Sequence, residues 1–98
     1  LGWSAKAEED LEKVFRVISR RDSPRAARSF TNRLAAAVKR LKNMPESGSP
    51  VEEFDDPAIR EIYFGPYRVL YRYKRPLIVI IAVRHGAMLL EEEDLPSE

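Results

Sequence analysis

The first part of the chain carries apolar residues at helical spacing. They stand at positions i, i+3, i+4 and i+7, namely Leu11, Val14, Phe15 and Ile18. Such a stripe is typical of an amphipathic helix that packs one face on a core. Ser4 is a suitable N-cap, and the acidic residues that follow it stand where the helix dipole favours them. The pattern predicts a helix from Ala5 to about Arg20.

A second apolar stripe follows a break at Asp22-Ser23-Pro24. Proline suits the first position of a helix, because the N–H that it lacks has no helical partner there. The stripe consists of Ala27, Phe30, Leu34, Ala37 or Val38, and Leu41. It predicts a second helix from Pro24 to about Asn43. Because the break is short, we expect an antiparallel helical hairpin over about residues 5–43.

Beyond the hairpin the apolar spacing changes from that of a helix to that of a strand. Three segments show it, at residues 59–64, 67–73 and 77–83. The first two alternate in polarity, while the third is continuously apolar and β-branched, as in a strand covered on both faces. The intervening turns are short, so we predict an antiparallel meander over about residues 59–84.

These elements define an α+β fold. Leu1-Gly2-Trp3 reads as a further short strand, which gives the order β-α-α-β-β-β, with the helical hairpin packed on a small antiparallel sheet. A chain of 98 residues is the size of one domain, so we expect a single domain over residues 1–98.

Charge is distributed in blocks although the net charge is only +1. The helical segment and the strands are mainly basic. Between them lies a loop at residues 44–57 with three prolines and five acidic residues, and residues 87–98 form an acidic tail. A near-neutral total therefore conceals a basic surface that could meet an anionic partner, although helical lysines and arginines often serve only to solvate an exposed face.

The strands offer a candidate anion-binding surface. Arg68 and Arg72 are four residues apart and share one sheet face, opposite the face that carries tyrosines and valine. Burying the tyrosine face against the helices costs less than burying an arginine, so these two arginines should point away from the hairpin. Arg60 joins them if its strand pairs in register, and Arg84 and His85 stand at the exit of the last strand.

A second interpretation of the same arginines stays open. Arg68 or Arg72 could instead form an ion pair with Glu61 or with an acid of the tail. His85 is the only histidine, and a lone histidine at a strand end is more often structural than catalytic. Histidine titrates near neutral pH, so a general acid or base role is chemically available to it.

Several classes of function are excluded or disfavoured by composition. The chain has no cysteine, which excludes disulfides and a cysteine nucleophile and, with one histidine, argues against structural zinc. We expect no metal and no cofactor. The longest apolar run, Leu77 to Val83, is far too short for a membrane span, and the first fifteen residues lack a secretory pattern. The expectation is a cytoplasmic protein without a membrane partner.

An ordered set of motifs resembles the RelE/ParE superfamily of toxin–antitoxin toxins. The segments that carry the resemblance are Trp3-Ser4, Ala7 to Leu11, Ala26 to Phe30, Arg60-Glu61, Gly65 to Arg72 and Arg84 to Ala87. They run in family order along nearly the whole chain, and the resemblance implies the same β-α-α-β-β-β fold.

Two activities compete within that superfamily. RelE-like members cut messenger RNA on the ribosome with basic side chains and Tyr or His, whereas ParE-like members act on DNA gyrase. Here Arg68 fills the motif arginine, but Ile59 and Glu61 stand where RelE-like enzymes place lysines. The chain is thus most similar to ParE, a binding toxin rather than an enzyme. The alternative is a ribosome-dependent endoribonuclease that uses Arg68 and His85, and a third possibility is an inert relative kept as half of a repressor complex.

The resemblance also implies partners. A ParD-like antitoxin of the ribbon-helix-helix type would neutralise the toxin and would alone contact operator DNA. We expect an acidic antitoxin segment to bind a groove beside the helical hairpin whose basic rims are formed by Arg16, Arg20, Arg28 and Lys39. ParE-like tails often carry Arg-Asp where this chain has Met88-Leu89, a departure that bears on the toxin's target.

Overall fold

The two predicted helices are present and form an antiparallel hairpin. The structure is a computed structural model that describes residues 1–86, and the predicted acidic tail lies outside the described residues. Helix α1 spans Ala5–Arg21 and α2 spans Pro24–Lys39, followed by a short 3-10 helix at Arg40–Lys42. Each helix has a serine N-cap: Ser4 Oγ accepts from the backbone N–H of Ala7 at 3.1 Å, and Ser23 Oγ from that of Ala26 at 3.0 Å.

Within residues 1–86 the sheet has five strands, in the order β1-β5-β4-β3-β2. Their bounds are Gly2–Trp3 (β1), Ser49–Pro50 (β2), Ile59–Phe64 (β3), Tyr67–Lys74 (β4) and Leu77–His85 (β5). The last three form the predicted antiparallel meander, and β1 pairs with β5 in parallel. The predicted topology is confirmed, with one addition: the acidic loop contains the two-residue strand β2, which pairs with β3.

The helix-facing side of the sheet forms the larger core. Val69 and Tyr71 are fully buried there against Val14 and Leu34 of the helices, with Tyr67 and Tyr73 packed at the margin. The tyrosine face therefore meets the hairpin, as its lower cost of burial predicts. Asp10 joins α1 to β5 at this side, where its Oδ2 accepts from the backbone N–H of Val83 at 3.0 Å.

The opposite side of the sheet is also covered, by the acidic loop. Val51 is 2% exposed and packs with Phe54 against a second cluster formed by Ile59, Leu70, Ile81 and Ala82. A register shift in the β4–β5 ladder, between Leu70 and Tyr71, accompanies this cluster. The segment predicted as a surface loop is thus a cover for the far face, and its apolar residues stabilise it there.

In the described part of the chain, residues 1–86, we find no helix with the length and apolar character needed to cross a membrane.

Candidate functional site

Arg68 is held by two carboxylates in the covered face of the sheet. Its Nη1 and Nη2 donate to Glu53 Oε2 at 2.7 Å and to Glu53 Oε1 at 2.9 Å, and its Nε donates to Glu61 Oε1 at 2.6 Å. The side chain is only 6% exposed. The hydrogen bonds with Glu53 raise the pKa of Arg68 above its usual value, and the hydrogen bond and charge of Glu61 raise it further. Burial acts in the opposite direction and lowers the pKa.

The prediction that Arg68 offers an open anion-binding surface is therefore wrong. The carboxylate of Glu53 occupies the bidentate position that a phosphate or substrate carboxylate would take. The interpretation left open from the sequence, an ion pair with Glu61, is correct. Glu53 itself was missed, and the available signal was the acidic loop directly before a basic strand, because such a loop can fold back on that strand.

Arg60 does not share a face with Arg68. The β3–β4 register pairs Arg60 with Tyr71, whereas Glu61 pairs with Leu70, so it is Glu61 that lies beside the motif arginine. The two-residue turn Gly65-Pro66 fixes this register, since Phe64 and Tyr67 must then be partners. Arg60 Nη1 instead donates to the backbone carbonyls of Glu46 at 3.2 Å and Gly48 at 2.9 Å, and so holds the loop.

Tyr71 forms a second anchor for the loop. Its hydroxyl donates to the carbonyl of Pro45 at 2.8 Å and accepts from the backbone N–H of Gly48 at 2.9 Å. Gly48 is buried, and a Cβ there would clash with the Tyr71 hydroxyl and lie 2.8 Å from the carbonyl oxygen of Glu61. Burial raises the pKa of Tyr71, and the hydrogen bond from Gly48 offsets part of that rise.

The other three candidate residues, Arg72, Arg84 and His85, lie in two separate parts of the structure. Arg72 is half-buried on the covered face, opposite Ile59 and Val79 in the strand ladder. Arg84 is opposite Arg68 in β5, and its Nε lies 3.9 Å from Asp10 Oδ2. His85 is exposed, and its ring meets that of Tyr67 edge-on with centroids 5.7 Å apart. The structure brings Arg84 and His85 together but does not unite the five.

Arg84 and His85 line a small cavity, which we call the basic pocket. It has a volume of about 240 Å³ and lies between α1 and the ends of β4 and β5. Its polar lining is Lys13, Arg21, Arg84, His85 and Asp10, and its apolar lining is Val14, Val17, Tyr67 and Val83. Lys13 and Arg21 of α1 were not singled out from the sequence, because nothing in their spacing relates them to the end of a distant strand.

A larger groove of about 710 Å³ runs beside the hairpin and β1, and we call it the helical groove. Its lining is Leu1, Gly2, Trp3, Glu8, Leu11, Glu12, Phe15, Thr31 and Ala35. The four predicted antitoxin-binding residues, Arg16, Arg20, Arg28 and Lys39, are all exposed, but none of them lines this groove. The charged side chains that line the groove are the two glutamates of α1, and the role of the four basic residues in antitoxin binding stays a prediction.

Within residues 1–86 there is no group of three or more histidine, aspartate and glutamate side chains placed to hold a metal ion.

Comparisons with known proteins all match the same kind of protein. A family model described as "ParE toxin of type II toxin-antitoxin system, parDE" matches residues 1–90. Toxin ParE3 of Caulobacter vibrioides is 30% identical over 81 residues, which cover 83% of this chain and 80% of that protein. A solved chain of the chromosomal ParDE TA system from P. aeruginosa is similar with a TM-score of 0.73 and 21% identity, covering 86% of this chain and 91% of that one, which shows a shared fold.

Proposed function

The chain belongs to the ParE toxin family of type II toxin–antitoxin systems, and from that membership we propose that it acts in the cytoplasm by binding and inhibiting DNA gyrase. We propose further that a ParD-like antitoxin with a ribbon-helix-helix part neutralises it. Operator DNA is then contacted through the antitoxin, not by the toxin itself.

The engagement of Arg68 is the observation that favours binding over RNA cleavage. Cleavage of RNA needs a group that takes the 2′-OH proton and a cation that stabilises the charged phosphorane. Arg68 is the motif arginine, yet Glu53 and Glu61 take its Nε and both terminal nitrogens. A phosphate would have to displace a bidentate carboxylate, and the remaining Glu61 would repel it.

Arg84 and His85 are the candidate residues for contact with the target. They stand at the exit of β5, where His85 is exposed and the Arg84 side chain is 22% exposed. Arg60 and Arg68 are engaged by the loop, so their contribution to target binding is indirect, through the position of that loop. Arg72 stands at the margin of the same covered face.

The helical groove is the proposed site of the antitoxin segment. Trp3, Leu11 and Phe15 give it an apolar floor of the kind that an amphipathic segment covers when it folds on binding. Its two glutamates would favour a segment with a basic residue at that point. The exposed arginines of the hairpin then meet acidic residues of the same antitoxin outside the groove.

A supercoiling assay with purified gyrase tests the proposed target. We expect the chain to inhibit supercoiling, Arg84→Glu to weaken inhibition, and Lys74→Glu to leave it unchanged, since Lys74 is exposed at the opposite end of the strand pair. Unimpaired supercoiling at toxin concentrations above that of gyrase contradicts the proposal.

Expression of the chain alone in bacteria separates this function from its alternatives. We expect growth arrest with altered plasmid supercoiling and intact messages. Codon-positioned cuts in translated messages, lost in Arg68→Ala but retained in a stable Glu53→Gln variant, would instead identify a ribonuclease. Harmless overexpression would identify an inert member of a repressor complex.

A further inference from the structure

The outer side of helix α2 is strongly basic. Residues 24–43 contain six lysines and arginines and no aspartate or glutamate. Five of these cations are exposed and lie within an arc of about 140° around the helix axis, and we call the surface that they form the α2 face: Arg25, Arg28, Arg33, Lys39 and Arg40. Arg25 and Lys39 are about 21 Å apart along the axis, since each helical residue advances about 1.5 Å. The positive charge thus extends along the whole helix.

Nearby acids do not neutralise the α2 face. In the described part of the chain, none of its five cations forms an ion pair with a carboxylate. On α1, by contrast, Arg16 lies 3.9 Å from Glu12, and Glu8 stands in the first turn. The first turn of α2 has no acid, although the helix dipole favours one there, and it contains Arg25 instead. This distribution favours an anionic partner over helix stability.

The α2 face offers little apolar area. The exposed residues between its cations are Ser29, Asn32 and Ala36, and none of the large apolar residues that are exposed in the described part of the chain belongs to α2. A protein segment that folds on binding needs apolar contacts, which the helical groove supplies and this face does not. A nucleic-acid backbone needs none, because arginine, lysine, serine and asparagine side chains bind its phosphates through charge and hydrogen bonds.

We infer that the α2 face binds the phosphate backbone of double-stranded DNA without regard to sequence. Its length of about 21 Å corresponds to about six base-pair steps of about 3.4 Å. Phosphate contacts position a protein but carry no sequence information, so recognition of the operator remains with the proposed antitoxin. The choice of duplex DNA over RNA rests on the proposed function, because gyrase acts on duplex DNA and this contact brings the toxin to that substrate.

Fluorescence anisotropy of a labelled DNA duplex, titrated with the full chain in the absence of gyrase, tests the inference. We expect binding at micromolar concentrations in about 50 mM salt and an affinity about 100-fold lower in about 200 mM salt, the dependence that about four phosphate contacts produce. Arg25→Glu with Arg40→Glu should weaken binding at least about tenfold and lower the slope of log affinity against log salt by about 2.

The matched control is Lys74→Glu with Arg75→Glu, which changes the net charge equally at exposed residues by the β4–β5 turn. It should weaken binding by less than about threefold, since it alters only the long-range field. Circular dichroism confirms that both variants are folded.

Three results would overturn the inference. The first is no binding of the duplex at low salt, and the second is equal weakening in the two double variants. The third is tighter binding of another polyanion, either a polyglutamate peptide or an RNA of matched charge, since the α2 face would then serve an acidic protein segment or RNA. None of these measurements contains gyrase, so failure of the proposed target appears separately, in the supercoiling assay.

Discussion

Arg68 joins the acidic loop to strand β3 through a pair of carboxylates. Glu53 comes from the acidic loop and Glu61 from β3, and the guanidinium forms hydrogen bonds with both. Buried ion pairs of this kind are costly to break from one side, because the remaining partner keeps its charge without compensation. At the scale of single residues, the motif arginine is therefore first a structural element of this toxin.

Removing Arg68 should destabilise the fold. Arg68→Ala leaves the Glu61 side chain, 9% exposed, without its counter-charge, and we expect a loss of about 3–5 kcal/mol in urea unfolding. The double variant Arg68→Met, Glu61→Leu removes both buried charges and should recover most of that loss. If Arg68→Ala proves as stable as the parent chain, the pairing described above is not what holds this site.

Gly48 should tolerate no side chain, for steric reasons. In Gly48→Ala the new methyl group would press on the Tyr71 ring, 2.7 Å from its Cε1, and on the backbone of Glu61. We expect a loss of about 1–3 kcal/mol by chemical denaturation. Gly2→Ala is the matched control, since a Cβ there has no atom within 4 Å, and its stability should change by less than about 0.5 kcal/mol. Similar losses in both variants would contradict the close packing of the loop.

Tyr71 should make the fold sensitive to alkaline pH. Burial raises the pKa of Tyr71 in the folded chain above the value of about 10 that a tyrosine has when unfolded. The folded state then binds the proton more tightly, so this stabilisation is complete below that pH and is lost as pH rises through the raised pKa.

We expect Tyr71→Phe to be less stable than the parent chain by about 1–3 kcal/mol at neutral pH, because two hydrogen bonds are lost. The difference between the two proteins should shrink above about pH 10, as unfolding measurements at a series of pH values would show. A difference that stays constant across that range would show that Tyr71 ionises equally easily in both states.

At the scale of elements, Asp10 links helix α1 to strand β5 through a hydrogen bond. Strand β1 pairs with β5 at Val79 and Ile80, and beyond that point Asp10 supplies an acceptor for the N–H of Val83. A helical side chain thus supplies a hydrogen-bond acceptor to β5 at a position that the two-residue strand β1 is too short to reach. Lys6, one turn earlier, lies 3.5 Å from the same carboxylate oxygen at a more exposed position.

Asp10→Ala should therefore cost about 1–3 kcal/mol and speed hydrogen exchange at the Val83 amide, since a buried N–H loses its acceptor. Asp10→Asn keeps an acceptor oxygen and should retain most of the protection. Lys6→Ala removes a partly exposed ion pair and should change stability by less than about 1 kcal/mol. Unchanged exchange at Val83 in Asp10→Ala would rule out this link.

For the whole molecule, the surface divides into regions of opposite character. The helical groove is apolar with two glutamates, the basic pocket is cationic, and the exposed hairpin carries the four predicted antitoxin-binding residues. The antitoxin segment proposed above would have to match each region that it covers. Electrostatic complementarity of that kind sets association rate and specificity more than affinity.

Charge reversal on the hairpin tests this picture. We expect glutamate substitutions at Arg16, Arg20, Arg28 and Lys39 to weaken antitoxin binding by a few-fold each and to reduce its dependence on salt. Arg25→Glu, also exposed on α2, is the control and should have little effect. Phe15→Ala in the helical groove should weaken binding equally at low and high salt, because its contribution is apolar. Calorimetry at two salt concentrations measures the antitoxin affinity of each variant and its dependence on salt. Unchanged affinity after all four reversals would exclude the electrostatic contribution.

The sequence by itself determined the two helices, the meander and the topology. Apolar spacing within α1 and α2, the serine caps and the short turns are local features, so they predict local structure without knowledge of the rest. Family membership also followed from motifs in chain order, and comparison confirmed it.

The partners of the charged residues were decided only by the tertiary structure. The path of the loop over the far face brings Glu53 to Arg68 across fifteen residues, and the pocket unites α1 with the end of β5. Such contacts depend on where a non-local segment packs, which its local spacing does not encode. The sheet face of Arg60 lies between these two cases, because a local feature of the sequence determines it. The two-residue turn at Gly65-Pro66 sets the pairing of β3 with β4, and side chains alternate between the two faces along a strand, so the turn also determines the face on which Arg60 lies.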